Sequence, residues 1–275
     1  MPLETHIKKA ATLISQADGL FIGAGAGMGV DSGLPDFRGD QGLWRAYPRL
    51  GQKRLSFVDI ANPNAFADNA GLAWGFYGHR LSLYRKTQPH EGFQILRRLA
   101  GRLPHGAFVF TSNVDGQFQK AGFAEETIAE CHGSIHHLQC AVPCTAATWP
   151  ASWLEPDIDE ENCQLLSEPP FCPECRGLAR PNILMFNDWG WIPDQTENQM
   201  ANLNRWCHKV NRMVVIELGA GVHVPTVRRV CESLKVPLIR INPAYPEVPK
   251  PDDVSLPLGA LEALQRIEVG IQHLM

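Results

Sequence analysis

Four of the eight cysteines in this chain fall into two close pairs, Cys140 with Cys144 and Cys172 with Cys175. Thiolates so spaced can enclose one tetrahedral zinc ion and leave it no open position, which makes a structural rather than a catalytic metal site. A second chemistry is suggested by glycine spacing. The run Gly23-Ala24-Gly25-Ala26-Gly27-Met28-Gly29 follows a short apolar segment, so its backbone can approach a pyrophosphate closely. The dinucleotide pattern G-x-G-x-x-G fails in every frame, because Met28, Val30 or Ser32 falls at the third glycine place. That disfavours a hydride-transferring dehydrogenase and leaves a ligand-free flexible loop as the alternative. Downstream, Asn113 and Asp115 can hold a polar ligand or simply cap the next helix. His132 offers an imidazole with an ordinary pKa near 6.5, matched to deprotonating a hydroxyl held within reach, although a lone histidine is more often structural.

The segment from Asp31 to Gly39 makes these readings specific. Ser32-Gly33-Leu34-Pro35-Asp36-Phe37-Arg38-Gly39 resembles the signature of the sirtuin family, with Leu34 in place of isoleucine. Further segments are similar to the family in the same order: Thr111-Ser112-Asn113-Val114-Asp115, His132-Gly133-Ser134, Arg180 to Asp188, Leu218-Gly219-Ala220-Gly221, and Ile241-Asn242. The resemblance implies NAD as co-substrate, bound by Gly25, Ala26, Gly27, Asp36, Phe37, Arg38, Ser112, Asn113, Asp115, Gly219, Ala220, Gly221 and Asn242. It implies His132 as general base, with Asn113 and Asp115 placing the sugar and its water. It also implies a structural zinc ion on Cys140, Cys144, Cys172 and Cys175, although the first pair has three intervening residues where the family usually has two, and Cys163 is a conceivable substitute ligand.

The implied activity is that of an NAD-dependent protein-lysine deacylase releasing nicotinamide and O-acyl-ADP-ribose, with acylated lysines of proteins as substrate. An ADP-ribosyltransferase or NAD hydrolase, and a non-catalytic NAD-sensing module, are the alternatives. Phe186 and Asn187 fall in the family's substrate loop, where Asn187-Asp188 replace Gly-Glu. Tyr77 and Arg80 reproduce the Tyr-x-x-Arg of sirtuins that remove succinyl, malonyl and glutaryl groups, a hydroxyl and a guanidinium suited to a carboxylate. The same pair is ordinary on an amphipathic helix. His136 and His137 match no family position and read as surface residues.

To bring these residues together the chain must supply strands and helices in alternation. Apolar runs at Leu20–Gly23, Ala107–Thr111, Met213–Leu218 and Leu238–Asn242 read as strands, and helical spacing recurs at Ile7–Ala17, Gln94–Arg102, Thr226–Leu234 and Leu258–Leu274. The expected fold is α/β, a Rossmann-like parallel sheet with helices on both faces plus a smaller lobe. The chain reads as one catalytic domain over 1–275, its large lobe approximately 1–39, 91–135 and 183–275. Insertions at approximately 40–90, helical and aromatic-rich, and 136–182, zinc-binding, form the small lobe. A formal charge of −4 gives no broad cationic field for nucleic acid or anionic membrane. With no apolar run long enough to span a bilayer and no secretory signal, the expected location is the cytoplasm, where thiols stay reduced.

Overall fold

The computed structural model describes residues 3–36, 43, 44 and 46–274. Its centre is a six-stranded sheet, all of whose pairings are parallel, built from β1 (Gly19–Ala24), β2 (Ala107–Thr111), β3 (Ile128–Glu130), β9 (Met213–Leu218), β10 (Leu238–Ile241) and β11 (Val254–Leu256). The spatial order is β11-β10-β9-β1-β2-β3. Every residue of β1, β2, β9 and β10 is buried, as a parallel strand covered on both faces requires. Register puts Ile22 of β1 beside Val109 of β2 and Ile216 of β9.

Side-chain alternation divides the packing between two helical layers. Ile22, Val109 and Ile216 share one core with the helices Leu3–Gln16, Glu91–Ala100 and Ala260–Gln272. Phe21, Phe108 and Val215 point the other way, into a core with Leu203 of helix Asp194–Cys207 and Val227 and Cys231 of helix Thr226–Ser233. The expected α/β sheet is therefore present, with β3 and β11 added at its edges. Each of those is only three residues long, too short for periodicity to register. Helix Asp194–Cys207 escaped the pattern for another reason: only Thr196 and Leu203 are buried along it.

The two excursions build a third core around Phe66, Trp74, Phe76, Tyr77, Ile135 and Leu138. The first is helical, with Pro48–Gln52, Phe57–Ile60, Pro63–Asp68 and the longer Ala70–Lys86. Ser56 and Asp59 close a reciprocal capping box on one helix, and Asn62 and Asn69 cap the next two. The second contains a three-stranded antiparallel sheet of β5 (Thr148–Pro150), β4 (Gly133–Cys140) and β8 (Ala179–Ile183), and a hairpin of β6 (Ile158–Asp159) and β7 (Gln164–Leu165). The Trp74 indole N–H donates to the Ala179 carbonyl at 3.0 Å, tying the long helix to β8. Among the described residues no helix is long and apolar enough to cross a membrane.

Candidate functional site

From β1 the chain steps outward to β2 and β3, then returns to lay β9 against the other side of β1. A crevice opens at the carboxyl ends where such an order reverses. Both glycine loops lie there. Gly25 N–H donates to the Leu218 carbonyl at 2.9 Å and Gly27 N–H to the Gly219 carbonyl at 3.1 Å. A Cβ on Gly27 would stand 2.6 Å from the Gly219 Cα, and Gly219 itself has φ +58. These glycines are thus needed for the mutual approach of the two loops, a demand spacing alone did not reveal. Ala26 and Gly221 are exposed at the crevice rim. Asn242 is buried, its Nδ2 donating to the Ala220 carbonyl at 2.9 Å and its Oδ1 accepting from the Ala244 and Tyr245 amides. Asp36 is half-buried; Phe37 and Arg38 lie outside the described residues.

The turn after β2 is fixed to the same crevice. Thr111 Oγ1 donates to the Ala24 carbonyl at 2.9 Å and accepts from the Asn113 amide, while Asn113 Nδ2 donates to the Gly25 carbonyl at 3.0 Å. Ser112 is half-buried, its amide bonded to Ala24. The Asp115 carboxylate, 8% exposed, accepts from the Gln117 amide at 2.9 Å. Burial pushes its pKa up to about 6, against the pull of that amide and of the Arg80 cation. His132 is half-buried just beyond β3; burial lowers its pKa below 6.5, opposed by a hydrogen bond to the Ser112 backbone, so the ring is neutral at neutral pH.

Strand β4 carries a feature the sequence misplaced. Pairing with β8 runs through Gly133 and Ser134, then resumes only at Leu138, so residues 135–137 bulge from the ladder. Within the bulge the Ile135 amide donates to the Val114 carbonyl at 3.0 Å, and His136 Nε2 lies 3.0 Å from the Asp115 carbonyl. His136 and His137 are therefore half-buried rather than surface residues, and His136 fastens the Asn113–Asp115 turn.

Beyond β8, the Leu184 amide donates to the His132 carbonyl at 2.9 Å and the Phe186 amide to the Ala61 carbonyl at 2.9 Å, with the Phe186 ring edge-on to Phe57. Asn187 is exposed with φ +54, a backbone asparagine tolerates, which explains how it replaces the family's glycine. Asp188 pairs with Arg180 at 2.8 Å, both side chains at most 1% exposed, and braces the loop from beneath. Tyr77 and Arg80 face inward from helix Ala70–Lys86. Tyr77 stacks on Phe66, and the 8%-exposed Arg80 donates from Nε to the Tyr84 hydroxyl at 2.8 Å, its guanidinium 5.2 Å from the Phe76 ring centre.

The four paired cysteines converge. Sulfur separations are 3.7 Å for Cys140–Cys175 and 3.6 Å for Cys144–Cys172, and all four atoms lie within 4.8 Å of one another. Zinc–sulfur bonds of about 2.3 Å in a tetrahedron need sulfurs about 3.8 Å apart, so the set fits zinc. The extra residue of the first pair is absorbed in the turn after β4, where Cys140 Sγ also meets the Val142 carbonyl. Cys163 is buried in the core of the small-lobe helices, away from this set.

Sequence reasoning missed the Arg180–Asp188 pair, the bracing by His136, and Glu130. Glu130, two residues before His132, is 2% exposed, and burial pushes its pKa up to about 7. An acid inside an apolar strand run is the signal that marks it.

A family model described as the Sir2 family matches residues 25–225. The NAD-dependent protein deacylase of Aquifex aeolicus is 30% identical over 246 residues, 88% of this chain and 91% of that protein. NAD-dependent protein deacylase 1 of Pseudomonas aeruginosa is 33% identical over 183 residues, 66% of this chain and 67% of that one. A solved Sir2 homolog–NAD complex superposes with TM-score 0.70 at 25% identity, covering 96% of this chain and 93% of that chain.

Proposed function

This chain is a member of the Sir2 family, and from that membership we infer that it is an NAD-dependent protein deacylase. We propose that it releases nicotinamide and O-acyl-ADP-ribose. The observation that supports the reading is the bonding that joins the Asn113 turn to the first glycine loop, that loop to Leu218 and Gly219 at the end of β9, and the His132 ring to the Ser112 backbone.

In this reading the NAD diphosphate lies along Gly25 and Gly27, Ala26 lines the nicotinamide-ribose end, and the Gly219-Ala220-Gly221 loop takes the adenosine half, with the adenine ribose at Asn242. Ser112, Asn113 and Asp115 hold the nicotinamide ribose; Asn113, its Nδ2 committed to Gly25, keeps Oδ1 for the ligand. The family resemblance gives Phe37 the role of shielding the ribose carbon from water and Arg38 that of pairing with phosphate, beside Asp36. The acyl oxygen bonds to that carbon as nicotinamide leaves. Neutral His132 takes the proton of a ribose hydroxyl, which bonds to the acyl carbon; one water completes the release of free lysine. Phe186 and Asn187 border the peptide, and Tyr77 and Arg80 the acyl group. Cys140, Cys144, Cys172 and Cys175 hold zinc, which supplies a cross-link rather than ribose chemistry.

We assign the large lobe to 1–39, 91–135 and 183–275 and the small lobe to 40–90 and 136–182. The cytoplasm is the proposed location, supported by a cysteine set that must stay reduced to bind metal. The −4 charge supports the absence of nucleic-acid and membrane partners.

The test is incubation with NAD, with and without acetyl- and succinyl-lysine peptides, read by mass spectrometry. O-acyl-ADP-ribose formed only with peptide, and lost in His132→Ala, is expected. Free ADP-ribose or ADP-ribosylated protein in its place overturns the reading. Loss of any succinyl preference in Arg80→Gln identifies the acyl-recognition residue.

A further inference from the structure

The chain beyond Asn187 folds back and is clamped to the small antiparallel sheet. Asp188 Oδ1 accepts from the Gly190 amide, the Gly190 carbonyl accepts from Gln139 Nε2 at 2.7 Å, and the Ile192 amide and carbonyl bond to Gln139 and Asn182. From this fixed base Trp189 projects with 99% exposure. Indoles are large apolar groups that ordinarily bury most of their surface. Beside it, Trp191 has its indole N–H buried and without an acceptor among the described residues, an orphan that folded proteins rarely leave. The two tryptophans, Pro143, the zinc-site Cys144, Thr145 and the exposed Asp194 line an open groove of about 440 Å³, with no cationic side chain in its lining among the described residues.

Aromatic faces with a carboxylate and no competing cation suit a guanidinium or ammonium group. That combination describes a basic stretch of polypeptide. A short segment joins the groove to His132. Leu184 is bonded to the His132 carbonyl, and five residues of extended chain reach at most about 17 Å, so Trp189 lies within that span of it. A peptide with its acyl-lysine beside His132 therefore reaches the groove within a comparable number of residues.

We propose that the Trp189–Trp191–Asp194 groove is an accessory substrate-recognition surface that takes an arginine or lysine flanking the acylated lysine of a protein substrate. The proposal rests on the deacylase reading above and extends it to selectivity among protein substrates.

The test uses acetyl-lysine peptides of otherwise glycine, alanine and serine, each carrying one arginine or one glutamate at a single position on either side of the acyl-lysine. The readout is the arginine-to-glutamate ratio of kcat/KM, from which any general loss of activity cancels. The expected ratio is about fivefold or more at one or two positions, falling toward one in Trp189→Ala and inverting in Asp194→Lys. A ratio near one at every position, or one that Asp194→Lys leaves unchanged, overturns the proposal. Fluorescence anisotropy of a labelled, unacylated arginine peptide reads the groove without turnover, so failure of the deacylase reading and failure of the groove are distinguished. Equal binding by wild type and Trp189→Ala overturns the groove. Self-association abolished by Trp189→Ala assigns it to a second copy of this chain and likewise overturns the proposal.

Discussion

Burial acts on His132 and Asp115 in opposite senses, holding the imidazole below its ordinary 6.5 and lifting the carboxyl to about 6. Both groups reach the neutral-base and carboxylate forms by pH 7. Deacylation should then show an acid limb, kcat/KM falling as pH drops through about 6, in a pH–rate profile. A second test concerns Glu130. Its folded pKa of about 7, against 4.5 ordinarily, means that the native state keeps a proton the unfolded chain releases between those values. Its contribution to stability is therefore present at low pH and lost as pH rises through 7. Urea unfolding at pH 5.5 and 8 should show wild type losing about 2 kcal/mol more than Glu130→Gln across that interval. His136→Ala removes the bond to the Asp115 carbonyl, worth about 1 kcal/mol, and should raise KM for NAD about fivefold with a smaller change in kcat. The motif residues His132, Asn113 and Asp115 were legible because their neighbours in sequence carry the pattern. His136 was not, because its role depends on a bulge that only the register with β8 reveals.

Elements were legible where burial is uniform. β1, β2, β9 and β10 are buried throughout and mostly apolar, with Glu217 and Arg240 paired inside β9 and β10, and read as strands, whereas β4 and β8 point Gln139, Arg180 and Asn182 inward, which erases the alternation a reader of sequence relies on. The glycine loops at the ends of β1 and β9 were visible, but for part of their reason only: each must also make room for the other. Gly27→Ala drives a methyl into the Gly219 backbone and should cost about 1 to 3 kcal/mol in a denaturant melt while weakening NAD binding. Beneath the loop of residues 184–187, Asp188→Asn leaves the buried Arg180 cation without its counter-charge, an expected loss of about 3 to 5 kcal/mol by the same measurement.

At the scale of the molecule, the sheet and its two helical layers form cores separate from the one under the inserted helices and β4, β5 and β8. The four cysteines stand at the far end of β4 from His132. Chelation, or Cys172→Ser, should lower hydrogen-exchange protection first in β4, β5 and β8 and leave β1, β2 and β9 protected, since metal-binding energy is folding energy only for the segment the metal holds. The interruption of β4 bears on more than the histidines it displaces. Residues 135–137 split the strand into a short ladder at Gly133 and Ser134 and another from Leu138 to Cys140. β8 runs unbroken past it, with Asn182 and Pro181 holding the two ladders in turn, so the three extra residues loop out toward the Asn113–Asp115 turn while both ends of β4 stay in register. The additional residue between Cys140 and Cys144 lies past the far end of β4, in the turn that absorbs it, so the strand and the imidazole before it need not move to accommodate it.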